Sequence, residues 1–186
     1  MNKMVSMRRN SVILKVPNNK EKRMKVVVLN ESKTPDSLNK VEKRCAVTPS
    51  SAQRLIKKGA SIILEAGAGL LSGYSDKEYE GVGASVISDV NESVSSADMV
   101  VAVNKPSESQ LALMKKGAIV VGHLDPFFQQ PLIESIADKQ LTAISVEMIP
   151  RSSRAQKMDA LSSQASLAGY VMVMQAASLL PSILPM

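Results

Sequence analysis

Residues 84–126 read ASVISDVNESVSSADMVVAVNKPSESQLALMKKGAIVVGHLDP. Three short β-branched runs stand out: ASVIS (84–88), MVVAV (99–103) and AIVVG (118–122). Helical stretches near 90–96 and 107–115 separate them. The runs are continuously apolar rather than alternating, so each strand is expected to be covered on both faces. Strands of that kind joined by helices predict a parallel sheet with helices on both sides.

Working outward, the same rhythm continues. MKVVVLN (24–30) and SIILEAG (61–67) are further strand candidates, and LTAISVE (141–147) is a sixth. Thr48-Pro49 opens a helix as N-cap and first-turn proline, with Ala52, Leu55 and Ile56 at helical spacing and Gly59 at its end. Ser75-Asp76-Lys77-Glu78 has the form of a capping box. A helix from about Gln129 to Lys139 precedes the sixth strand. The expectation is a doubly wound, mostly parallel, Rossmann-like α/β domain over residues 25–158. Residues 1–24 read as a basic extension, and residues 159–186 as an inter-domain helix that begins a second, nucleotide-binding domain.

Charge is unevenly placed. The 186 residues carry a net +6, but residues 1–25 hold eight basic side chains against one acid, Glu21. The remainder carries 15 basic and 16 acidic groups, so the body lacks the basic face that nucleic-acid binding calls for. Aromatics are 3% with no Trp, which also disfavours a stacking platform for single strands. One cysteine, Cys45, excludes a disulfide framework or a multi-cysteine zinc site within the chain and fits a reduced compartment. The extension, with Arg8-Arg9 and few acids, is read as a disordered tail or as upstream of a start at Met24, with an organelle transit peptide as the other option. Residues 166–186 carry no charge, but Pro181 and Pro185 interrupt them, so a buried helix from about Asp159 to Leu180 is expected rather than a membrane span.

Two local patterns have competing readings. Gly67-Ala68-Gly69-Leu70-Leu71-Ser72-Gly73 follows a strand, but its spacing is GxGxxxG and no helix begins at the second glycine, so a turn is expected rather than a phosphate cradle. His123 lies just past a strand on the ligand side of a parallel sheet, where acid–base and structural roles both fit.

The segment PRSSRAQKMDALSSQASLAGY (150–170) is dense in polar groups between a strand and an uncharged helix. Such groups, if buried, need one another or a ligand. Asp159 and Ser162 share a face if a helix starts near Asp159, and Arg151 is placed to pair with Asp159 across the loop.

That segment, from Arg151 through Ser153-Arg154-Ala155-Gln156, Met158-Asp159, Leu161-Ser162-Ser163-Gln164 and Leu167-Ala168-Gly169-Tyr170, resembles the signature of the NAD(H)-binding domain of NAD(P) transhydrogenase alpha subunits. Glu42-Lys43-Arg44-Cys45-Ala46-Val47-Thr48-Pro49 resembles a segment shared by transhydrogenases and alanine dehydrogenases. Glu65-Ala66-Gly67-Ala68-Gly69 and Tyr74-Ser75-Asp76 agree with it, and the resemblance runs from Met24 to Met186. It implies binding of NAD(H), hydride exchange with NADP(H) held on a partner domain, and coupling to proton movement by a membrane component. It implies that Arg151, Asp159 and Ser162 hold the nicotinamide carboxamide and that Gln156 reaches toward the facing nicotinamide domain. These four are the candidate catalytic and cofactor-binding residues.

The resemblance also implies a homodimer, contact with the membrane only through partner subunits, and a cytoplasmic location, or a mitochondrial matrix one if the extension is a transit peptide. Alanine dehydrogenase is the nearest competitor, but Val103-Asn104-Lys105-Pro106 puts neutral Asn104 where that family has a substrate-binding lysine. The opening Leu29-Asn30-Glu31-Ser32 departs from the family pattern, and the family's Gly-rich fingerprint lies beyond Met186. The chain is therefore expected to be inactive alone and completed by other polypeptide, with a non-catalytic docking remnant and an ordinary ligand-binding α/β module as the alternatives.

Overall fold

The computed structural model describes residues 23–33 and 41–181. The sequence reading of residues 1–22 falls outside the described residues. Six strands alternate with helices: β1 (Lys25–Val28), α1 (Pro49–Lys57), β2 (Ser61–Glu65), α2 (Asp76–Gly81), β3 (Ser85–Ile87), α3 (Asn91–Ser96), β4 (Met99–Val101), α4 (Glu108–Leu113), β5 (Ile119–Gly122), α5 (Gln130–Asp138) and β6 (Thr142–Ser145). A loop then leads to α6 (Ala160–Leu179). Each strand pairs in parallel with its neighbour in the order β3-β2-β1-β4-β5-β6.

β1 shows why both faces must be apolar. Val27 belongs to the core layer under α3, α4 and α5, with Val100, Val120, Val94, Leu111 and Ile136. Val26 and Val28 turn the other way, onto Ile62, Leu64, Ala52 of α1 and Tyr79 of α2. All three valines are at most 2% exposed. The Tyr79 hydroxyl donates to the Val47 carbonyl at 2.8 Å, which ties the loop before α1 to α2 and satisfies the buried polar end of the ring.

The local signals hold. Thr48 caps α1 by accepting from the Ser51 N–H, with Pro49 at its first position. Ser75 and Glu78 form both halves of the capping box. The GxGxxxG run is a turn: Gly67 takes φ +79°, and its N–H donates to the Asp76 carboxylate at 3.0 Å rather than standing open for a phosphate. That turn stops β2 at Glu65, two residues before the end of the predicted run. Likewise β6 stops at Ser145, where Val146–Met148 form a 3-10 turn.

The chain order reverses between β1 and β4, so a crevice opens where their C-terminal ends part. Glu31 closes its floor by accepting from the Val103 N–H at 2.5 Å and the Asn104 N–H at 2.7 Å.

One expectation is corrected. The uncharged C-terminal helix forms where predicted, but it is not buried: every residue from Leu161 to Leu179 is exposed. Within this chain it touches the body at the 3-10 turn after β6 and along the crevice, and nothing covers its remaining sides among the described residues. No helix of the described residues is long and apolar enough to cross a membrane.

Candidate functional site

The crevice at the strand ends opens into a cleft of about 760 Å³. Its walls include Arg44 and Thr48 from the approach to α1, Tyr74 before α2, His123 after β5, and Ala160 and Gln164 from the first turns of α6. It therefore lies between the sheet and the helix that leaves it.

Glu42 and Arg44 are two residues apart in extended chain, which sends both side chains the same way. Arg44 Nε and Nη2 donate to the two carboxylate oxygens of Glu42 at 2.9 and 2.8 Å. The backbone N–H of Arg44 adds a 2.9 Å bond to the same group. Asn104 Nδ2 completes the set at 2.9 Å. The guanidinium hydrogen bonds, with help from that amide and from Asn104, hold the Glu42 carboxyl down at about 2. The Arg44 guanidinium, one of the cations that line the cleft, is thus engaged bidentately by a carboxylate of its own chain. His123, which also lines the cleft, has Nδ1 2.7 Å from the Val103 carbonyl, which fixes the ring. Lys105, one place after Asn104, is directed to the Gln129 side chain.

The four residues singled out from the sequence sit on the loop 150–159 and the start of α6. Asp159 is the N-cap. One carboxylate oxygen accepts from the Ser162 N–H at 3.0 Å and the other from the Ser162 hydroxyl at 2.5 Å. Those bonds, hydroxyl first, lower the Asp159 carboxyl, and the charge of Arg151 adds to the effect. Asp159, Ser162 and the field of Arg151 are thus brought together. The expected ion pair is not formed: among the described residues no Arg151–Asp159 contact falls within ion-pair range. Gln156 is exposed and makes no hydrogen bond to the other three.

The loop is shaped by turns in which the Ala155 N–H reaches the Ser152 carbonyl at 3.0 Å and the Met158 N–H reaches the Ala155 carbonyl at 2.8 Å. Ala155 is its buried pin, at 6% exposure. The polar side chains around it face solvent, so they do not need the mutual pairing that burial would impose. The reason is the same as for α6, since nothing among the described residues covers that side.

None of the four lines the cleft, but Ala160 and Gln164 on the same helix do. The cap and the cleft are consecutive surfaces of one rim. Glu42 and Gln164 were not picked out as site residues from the sequence. The Glu-x-Arg spacing was the available signal for Glu42, whereas Gln164 has none until α6 is laid against the crevice.

The family described as alanine dehydrogenase/PNT, N-terminal domain, matches residues 28–168. The chain belongs to this family. Within it, the chain is 37% identical over 142 residues to the NAD(P) transhydrogenase subunit alpha of Cereibacter sphaeroides, a match that covers 76% of this chain and 27% of that protein. The solved structure of transhydrogenase from Sinorhizobium meliloti superposes with a TM-score of 0.76 at 38% identity, over 87% of this chain and 46% of that one. An L-alanine dehydrogenase structure follows with a TM-score of 0.62 at 29% identity, over 70% of this chain and 34% of that one. The Rossmann-like parallel fold is therefore the fold of the alanine dehydrogenase/PNT N-terminal family. The chain spans less than half the length of these relatives.

Proposed function

We propose that this chain is the N-terminal portion of the NAD(H)-binding component of a proton-translocating NAD(P) transhydrogenase. In this reading residues 25–158 form its first domain, and residues 159–186 carry the helix that leads to a nucleotide-binding second domain. The observation that carries it is the Asp159–Ser162 cap beside Arg151 on the rim of the crevice. It lies in the segment that resembles the transhydrogenase signature.

The residues present fit a nicotinamide carboxamide. A carboxylate kept ionised offers acceptor sites beyond the two that Ser162 uses, and the Ser162 hydroxyl can also accept. The exposed Arg151 guanidinium offers planar donors to a carbonyl oxygen. Gln156 extends outward, where a facing domain would be met. When bound, the nicotinamide ring supplies the hydride chemistry; these side chains fix its orientation and the covering domain excludes water. NADP(H) belongs to a partner domain, and the membrane is reached through partner subunits.

The alanine dehydrogenase reading has one observation in its favour, that His123 and Arg44 line the same cleft. It is weakened because Arg44 is held by Glu42, and Asn104 adds a neutral amide where a second cation would receive a carboxylate.

Calorimetric titration with NADH decides. Residues 1–186 alone are expected to bind weakly, and together with polypeptide that supplies the nucleotide-binding second domain they are expected to bind. In that complex Arg151→Ala should lower the hydride-transfer rate by about tenfold or more, with the unfolding midpoint unchanged. Tight binding by the chain alone, or equal transfer rates, would sink the proposal. Binding of pyruvate instead would favour the dehydrogenase reading.

A further inference from the structure

In an all-parallel sheet every helix-to-strand connection arrives at one edge, opposite the crevice. Here those connections are 57–61, 81–85, 96–99, 113–119 and 138–142, and residues 23–25 enter β1 at the same edge. They hold Arg23, Lys25, the pairs Lys57-Lys58 and Lys115-Lys116, and Lys139, against two acids, Asp98 and Asp138. Residues 26–186 together are close to neutral, so the fold has gathered cations on this edge and left the acids elsewhere. All of α1 to α5 end here, and each helix C-terminus carries about half a negative charge. That offsets about half of the surplus. Two lysines are used in this way: Lys115 Nζ donates to the Ser96 carbonyl at 3.0 Å, and Lys139 Nζ to the Ala112 carbonyl at 2.9 Å. The side chains of Arg23, Lys57, Lys58 and Lys116 make no hydrogen bond or ion pair among the described residues.

β1 and β4 are the two middle strands, and an open groove of about 570 Å³ lies at their N-terminal ends. Arg23, Lys25, Ser61, Ser96, Asp98 and Lys115 line it. Its single acid is already shared. Asp98 Oδ1 accepts from Lys115 Nζ at 2.5 Å, and Oδ2 accepts from the Lys25 backbone N–H at 2.8 Å. Lys25 Nζ donates to the Ser96 hydroxyl at 2.5 Å. Those bonds fix where the two ammonium groups stand. An ammonium has three N–H donors, so both keep some to give. Arg23 adds the planar fork of a guanidinium, which matches phosphate oxygens.

We propose that this groove binds a soluble anion carrying two or more phosphate charges, held by Arg23, Lys25 and Lys115, with the Ser61 hydroxyl as a further donor. Three cations converge on it, and the surrounding edge focuses an attractive potential for anions. The groove has room for a phosphate ester with a small organic part, and the lysine stems give it an apolar lining. No aromatic residue lies in any of the connections on this edge, so stacked bases of a nucleic acid do not fit it. The four residues of β1, roughly 13 Å of strand, separate the groove from the crevice. It therefore does not compete with the nicotinamide site, and the inference stands apart from the function proposed above.

The test is a pyrophosphate titration of the full chain labelled with nitrogen-15. The amides of Lys25, Ser61 and Lys115 are expected to shift, while those of Asn104 and His123 at the crevice stay in place. Arg23→Gln should weaken binding by about tenfold, and Ser61→Ala by about threefold, both with unchanged thermal midpoints. Lys77→Gln removes the same charge as Arg23→Gln but from exposed α2 at the crevice end, and should leave the affinity within about twofold. Vesicles of phosphatidylglycerol form a second arm, and pyrophosphate is expected to hold its site in their presence. Displacement from the same amides by the vesicles would reassign the groove to a lipid headgroup and overturn the soluble ligand. Shifts confined to residues 1–22, equal losses in Arg23→Gln and Lys77→Gln, or no shift at all would each overturn the site itself.

Discussion

Glu42 shows how one side chain can occupy a cation that lines a cleft. Its carboxyl titrates near 2 instead of its ordinary 4.5 because the Arg44 guanidinium holds it first of all. A depressed carboxyl stabilises the fold above its unfolded value, and that contribution disappears as pH falls from about 4.5 toward about 2. Arg44 is half-exposed, so solvent screening reduces the effect to about 1 kcal/mol. Urea titrations across that window should show the parent losing stability more steeply than Glu42→Gln; parallel curves would refute the assignment. Gly122 answers to close packing rather than charge. A Cβ there would stand 2.6 Å from the Asn104 carbonyl oxygen and 3.2 Å from that of Ala102, both backbone atoms that cannot swing away. Gly122→Ala should therefore destabilise by about 1–3 kcal/mol, read as a lower urea midpoint, and should disturb the crevice beside His123.

At the scale of elements, the helices are short, and their ends matter in proportion. α1 has nine residues and one buried position, Ala52, so its cap contributes much of its definition. Thr48 holds the Ser51 N–H, and Thr48→Ala should cost about 1 kcal/mol by thermal unfolding. The same change releases the segment from Arg44 to Thr48 that lines the cleft, so ligand binding is expected to weaken alongside stability. A Thr48→Ser variant retains the acceptor and should recover both; failure of that rescue would show that the cap is not what matters. α6 contrasts with α1. It is the longest helix described and the least covered, and its Asp159 cap is shared with the proposed ligand site.

For the whole molecule, the sheet and its two core layers are complete without α6. A chain truncated after Met158 should keep the thermal midpoint within a few degrees of the full chain, since a lost surface contact of about 1 kcal/mol shifts a domain of this size by only that much. It should also be more soluble, because the apolar spine is gone. A collapse of the midpoint would mean that the helix carries the fold. The architecture could be read in advance because the signals are local. Period, caps and β-branched runs set six strands and their helices, and helical crossovers between consecutive strands call for parallel pairing. The site was legible in part. The Asp159–Ser162 pairing follows from helical spacing, but the Arg151 ion pair did not form, since the loop turns about Ala155 and holds both side chains in water.

By itself the sequence determined the doubly wound sheet, the capped helices, the turn at Gly67 and the position of α6, because short-range backbone preferences and apolar periodicity suffice for each. Tertiary structure alone decided that Arg44, held by Glu42, and His123 line one cleft, that Gln164 reaches it, and that α6 and both phenylalanines lie uncovered among the described residues. Those facts depend on which strand ends part at the reversal of chain order and on what is left unburied once the two core layers close. No local pattern encodes them.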